Sequence, residues 1–204
     1  MFPLGSVVFP YTAVPLRVFE PRYQHLLDDV LNGDRTFGSV LIERGPEVGG
    51  GDERFSVGTR VRVARVSRLP EGDHRLIVVA GTQRIRVERW LDDEPYPTAE
   101  VDLHPDADED VPPELMKEVW SEVRRVMALA SELGADTADI TATLSDNPLA
   151  ASYQASALTP VTPLDAYALL TAPGPMSRLV LCRQLLIDSA HVLSSQLGGR
   201  PNDL

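Results

Sequence analysis

Lysine is nearly absent from this chain: Lys117 is the only one among its 19 basic residues, and the rest are arginine. A Walker-type nucleotide site needs a lysine directly after a glycine, and here none follows one. A Ser–Lys peptidase needs a lysine held neutral beside its serine. Lys117 instead lies among Glu114, Glu118 and Ser121, where neighbouring carboxylates favour its charged form. Cysteine is equally scarce. Cys182 stands alone, which excludes an internal disulfide framework and fits a reducing compartment. His25, His74, His104 and His191 are widely spaced and have no cysteine pair near them, so no zinc pattern forms. No Gly-x-Ser-x-Gly elbow is present. Long apolar runs are missing too, and none approaches the roughly 20 residues of a membrane span. The first residues also lack the basic-then-apolar order of a secretory leader. These absences predict a cytoplasmic protein that is not an enzyme, needs no cofactor or metal, and has no membrane partner.

What is there reads as two differently built halves. The net charge is −11 over 204 residues. Residues 1–104 carry −3 of it and residues 105–204 carry −8. So acidic a chain is poorly suited to nucleic acid, where affinity comes largely from phosphate neutralisation. Residues 1–10 alternate apolar residues with turn formers, and Pro3 and Pro10 place them at a sheet edge or bend. An apolar run over 13–19 leads to Pro21, which suits the first turn of a helix. Glu20 is expected to face the free amides of that turn. Tyr23, Leu26, Leu27, Val30 and Leu31 follow at helical spacing, and Asn32-Gly33 closes the helix. Residues 37–42 form the next strand.

A mobile hairpin loop is expected over 43–55, which holds Gly49-Gly50-Gly51. From 57 to 90 the pattern is β. The alternation slips near Ala64, predicting a bulge, and Pro70-Glu71-Gly72-Asp73 makes a turn. The run 76–80 reads as a strand buried on both faces, broken by Gly81, and 96–103 offers one more strand. Short strands with one inserted helix predict a small closed or half-closed barrel. Residues 105–113 read as an acidic, solvated linker. Beyond them come four helices: one with Leu115, Val119, Val123 and Val126 on a single face, a second opened by Asn147-Pro148, a third by Thr162-Pro163-Leu164-Asp165, and a fourth over 176–197. Gly198-Gly199 ends the last, and the final five residues are expected to fray. The fold class is therefore α+β: barrel over 1–104, linker over 105–113, helical bundle over 114–204.

Several stretches together resemble the amino-terminal, substrate-binding domain of the ATP-dependent Lon proteases. They are Phe2-Pro3-Leu4-Gly5, Val8-Phe9-Pro10, Leu16-Arg17-Val18-Phe19-Glu20-Pro21-Arg22-Tyr23 and Phe37-Gly38-x-Val40-Leu41-Ile42. Val57-Gly58-Thr59, Gly81-x-x-Arg84-Ile85, Thr162-Pro163-Leu164-Asp165 and Arg178-Leu179-Val180-Leu181-Cys182-Arg183 extend the likeness over roughly residues 1–197. The resemblance implies a PUA-like (pseudouridine-synthase-and-archaeosine-transglycosylase-like) barrel followed by a helical bundle. It implies a bacterial, stand-alone member without the ATPase and peptidase domains, active in protein quality control. The partners it implies are unfolded or tagged protein substrates, with a protease or chaperone alongside. Binding is expected near Phe9, Tyr11, Phe19 and Tyr23, between barrel and bundle or by strand addition. Phe19 and Tyr23 also read as core anchors. The alternative is an RNA or small-ligand site on an Arg-rich face formed by Arg60, Arg62, Arg84 and Arg86. That reading lacks the interleaved aromatics such sites use for stacking.

Overall fold

The computed structural model describes residues 1–70, 74–135 and 144–198. Most of the expected turn at 70–73 lies outside the described residues, as do Gly199 and the tail 200–204. The chain packs as two units, Met1–Asp106 and Ala107–Leu204.

The first unit contains β1 (Phe2–Leu4), β2 (Ala13–Val18), α1 (Pro21–Asn32), β3 (Thr36–Arg44), β4 (Glu53–Arg68), β5 (Arg75–Trp90) and β6 (Ala99–Leu103). The sheet runs β1-β3-β4-β5-β2, and β6 also pairs β5. β1 lies parallel to β3, and every other pairing is antiparallel. The result is a curled, mixed half-barrel, with β1 and β2 at its two ends. In β2 alternation aims Leu16 and Val18 into the core and leaves Ala13, Pro15 and Arg17 outside. Pro21 then opens α1, whose Tyr23, Leu26 and Leu27 are buried. Leu27 has no exposed surface, a burial worth about 2 kcal/mol. Tyr23 stacks on Phe2 with ring centroids 4.2 Å apart, and Phe2 in turn meets Phe37 at 6.0 Å. Helix and strands thus share one core.

Four local expectations need correction. Glu20 occupies the N-cap position of α1, but its side chain makes no capping bond. Its carboxylate instead accepts from Arg22 Nε at 3.1 Å and from Gly49 N at 3.2 Å. The glycine loop is therefore tethered, and Glu47 adds a second tie by accepting from Gly5 N at 3.0 Å. Gly81 does not break its strand: β5 runs through it from Arg75 to Trp90. The run 76–80 is buried through Ile77 and Val79 only, while Leu76 is exposed. The bulge near Ala64 is present as a register shift between Val63 and Arg65.

The second unit holds α2 (Pro113–Glu132), α3 (Pro148–Leu158), α4 (Pro163–Thr171) and α5 (Pro175–Gly198). Each begins with proline at its first position, where no amide is needed for the helix ladder. Local side chains cap two of them. Asn147 Oδ1 accepts from Ala150 N at 3.1 Å, and Thr162 Oγ1 accepts from Asp165 N at 3.3 Å while donating to Asp165 Oδ2 at 2.7 Å. Residues 107–112 group with this unit, mostly exposed but tied to it at two points. Ala107 N donates to Pro173 O at 2.8 Å, and Glu109 accepts from Ser177 N at 2.9 Å and from Ser177 Oγ at 2.7 Å. Glu109 thereby supplies α5 with the N-terminal acceptor its own sequence lacks.

Arg178 lies fully buried within the bundle. Its guanidinium sits 3.6 Å from the Tyr153 ring centroid and donates to Leu169 O, Ser152 Oγ and Ala172 O. One side chain on α5 thus grips α3 and the carboxyl end of α4.

Candidate peptide-binding surface

The four aromatics read from the sequence separate into two pairs. Phe9 and Tyr23 are buried at 4% and 3% exposure, so neither presents a surface. Burial pushes the Tyr23 phenol up to about 12, as a core position would. Tyr11 and Phe19 are exposed at 48% and 43%. For Phe19 this reverses the expectation of core packing. Leu16 and Val18 take the inward positions of β2, so Phe19 continues the outward series of Pro15 and Arg17. It meets His74 edge-on, with ring centroids 6.0 Å apart.

The two exposed rings lie at opposite ends of β2, separated by about 25 Å at the usual rise of roughly 3.3 Å per residue. They do not form one cluster.

Tyr11 is held in an unusual way. Its φ is +59°, a conformation costing a non-glycine residue about 1–2 kcal/mol. Tyr11 N donates to Gly81 O at 2.9 Å, Gly81 N donates to Thr12 O at 2.9 Å, and Thr12 Oγ1 donates to Phe9 O at 2.7 Å. The turn sits so close to β5 that a Cβ on Gly81 would run into Phe9 O. Neighbouring motif residues fix the same turn. Thr59 Oγ1 donates to Val8 O, and Gly58 passes against Ser39 O where a side chain has no room. Gly81 is therefore a steric requirement of the Val8-to-Thr12 turn, and Gly58 one of the close approach of β4 to β3.

The edges of β5 organise this region. β4 runs along one edge. Along the other lie β2, against residues 75–80, and β6, against residues 85–90. Tyr11 is bonded to Gly81 in the gap between them.

The arginine face is thinner than its residue list suggests. Arg84 is buried at 4%, bonded through Nε to His104 O at 2.9 Å and through its Nη2 to Pro105 O at 3.2 Å. Asp106 lies 3.6 Å from it. Arg62 and Arg86 are exposed and Arg60 is half-buried. Arg60 pairs with Asp34 at 3.1 Å, and Arg86 faces His104 Nε2 at 3.2 Å. Arg75 and Arg89 are likewise engaged by Asp28 and Glu100. Among the described residues no group of three His, Cys, Asp or Glu side chains is arranged to hold a metal, and no helix is long and apolar enough to cross a membrane.

A half-barrel with one packed helix and a capped helical bundle defines the architecture, and comparison with known proteins gives it a family. Residues 1–188 match the model of the ATP-dependent protease La (LON) substrate-binding domain. The chain belongs to that family, whose domain binds substrate and is not itself catalytic. It is 34% identical to Lon protease 2 of Sorangium cellulosum over 147 residues, covering 67% of this chain and 17% of that protease. It is 24% identical to Lon protease 1 of Herpetosiphon aurantiacus over 199 residues, covering 93% of this chain and 24% of that protein. The chain thus spans only a minor part of the curated relatives it matches. A Lon N-terminal domain protein from Xanthomonas campestris shares the fold with a TM-score of 0.62, at 24% identity over 98% of this chain and 96% of that one. The N-terminal domain of the Mycobacterium avium complex Lon protease does so with a TM-score of 0.60, at 17% identity over 93% and 96%.

Proposed function

We propose that this chain captures unfolded or tagged segments of other proteins in the cytoplasm, handing them to a protease or a chaperone. The family match over residues 1–188 carries this reading. Tyr11 supports it: an exposed aromatic in a costly backbone conformation, locked by Gly81 and Thr12 onto a rigid strand. Phe19 offers a second exposed ring. Phe9 and Tyr23 serve as the packed scaffold beneath them. The RNA alternative loses ground because Arg60, Arg75 and Arg89 already face carboxylates and Arg84 is inside the protein.

Fluorescence anisotropy with labelled unfolded casein-type peptides tests the proposal. Saturable binding is expected, weakened about thirtyfold in a Tyr11→Ser/Phe19→Ser variant, since each lost anchor costs on the order of 1 kcal/mol. Absence of saturable binding at high micromolar protein sinks the idea.

A further inference from the structure

The outer edge of β6 stands out among the uncovered surfaces of the first unit. His104 N donates to Arg84 O, and Leu91 N donates to Thr98 O. In an antiparallel ladder the residues that bond a neighbouring strand alternate with those whose amide and carbonyl face away. Both bonds give β6 the same parity: Glu100 and Asp102 bond toward β5, while Val101 and Leu103 direct their backbone groups outward. No described residue outside the β5–β6 ladder hydrogen-bonds Val101 or Leu103.

Their side chains are uncovered as well. Val101 pairs with the buried Val87 and Leu103 with the buried Ile85, so both continue the inner face of the sheet past the end of its core. They are 40% and 60% exposed. The opposite face of β6 carries Glu100 and Asp102, both exposed.

We propose that β6 is a docking edge for an extended segment of another protein in which apolar and basic residues alternate. The segment adds as a strand, hydrogen-bonding the outward groups of Val101 and Leu103. Its apolar side chains join Val101 and Leu103 on the inner face. Its Lys or Arg side chains meet Asp102 on the outer face and share Glu100 with Arg89, which already pairs with it at 2.6 Å. The same acids exclude a second copy of this chain. Antiparallel self-pairing about Val101 sets Glu100 of each copy opposite Asp102 of the other, and like charges directly opposite are destabilising. Following the edge beyond Leu103 leads to Tyr11, since Ile85 and Gly81 are about 13 Å apart along β5 at the usual strand rise. This inference rests on the proposed capture of unfolded segments and gives that capture a chemical preference.

The test uses the full chain and two labelled peptides of equal length, one alternating Val with Lys and the other Val with Glu. Anisotropy is expected to show the lysine peptide binding about tenfold or more tightly, with the preference reversed in Glu100→Lys/Asp102→Lys, as two facing charge pairs permit. Methylating alternate peptide amides should abolish binding. So should Val101→Pro, which removes an outward amide and leaves the β5 ladder its own bonds. Equal affinity for the two peptides, or an unchanged preference in the charge-reversed variant, overturns the proposal. A dimer of the free chain that Val101→Pro dissolves overturns it too. Unfolded casein titrated in parallel separates the two claims: if it binds wild type and both variants alike, capture stands and the β6 edge is wrong. If it binds none of them, both readings fall.

Discussion

Replacing Arg178 should markedly destabilise the helical unit. The side chain has no exposed surface. It donates at 2.9 Å to Leu169 O, at 2.9 Å to Ser152 Oγ and at 3.3 Å to Ala172 O. Withdrawing a donor from each of three buried acceptors costs about 1 kcal/mol apiece. Loss of the desolvated contact with the Tyr153 ring, at 3.6 Å, adds about 1–2 kcal/mol. Against this, Met at 178 removes the burden of burying a charge, which returns part of the sum. Arg178→Met should therefore cost about 3 kcal/mol. Arg178→Lys should cost at least as much, because an ammonium keeps the charge but cannot span acceptors on three sides. Urea unfolding followed by far-UV circular dichroism, where the helices dominate, measures both as midpoint shifts at constant slope. Arg60→Met is the control, since its solvent-screened pair with Asp34 contributes little to stability. If Arg178→Met and Arg60→Met shift the midpoint equally, the reasoning is wrong.

Two further outcomes come from the same unit. The amide of Ser177, and next its hydroxyl, hold the Glu109 carboxyl below the ordinary glutamate value. A depressed folded value means the charged cap stabilises above the ordinary range, with that stability lost as the pH falls through the lowered value. Glu109→Gln should lose about 1 kcal/mol at neutral pH, a deficit that shrinks below pH about 4 in a urea-midpoint series. Burial pushes the Cys182 thiol up to about 11, with Thr159 Oγ1 at 3.2 Å from its sulfur. At pH 8 its reaction with an aromatic disulfide reagent should be on the order of a hundredfold slower than that of an unfolded thiol, and denaturant should remove the difference.

The features legible in the sequence are those whose physics is local. Pro21 marks a helix start through its fixed φ at the first position, and Asn147-Pro148 and Thr162-Pro163 do so also because a cap and its amides lie within four residues. The face of Leu115, Val119, Val123 and Val126 follows from period alone. What escaped notice was assembled across the chain. Glu20 looked like a cap, but its second partner is Gly49, 29 residues away. Glu109 looked like a linker acid, although the helix it serves begins at Pro175. Gly81 looked like a strand breaker because nothing near it announces Phe9 O. Arg84 looked like part of a basic face, and it does share the parity of the exposed Arg86, but the chain at His104 and Pro105 folds over it and accepts from its guanidinium. Of the four rings named from sequence, Tyr11 and Phe19 are exposed while Phe9 and Tyr23 are buried. Counting parity from Leu16 through Phe19 would have found Phe19 exposed.

The most direct test of the account is one labelled protein offered in two states, such as a small disulfide-bonded globular protein native and then reduced and alkylated. Titrated with the full chain and read by anisotropy, the unfolded form should bind saturably and the native form should not. Equal binding of both forms, or of neither, would contradict the assignment of this chain as a module that captures unfolded segments.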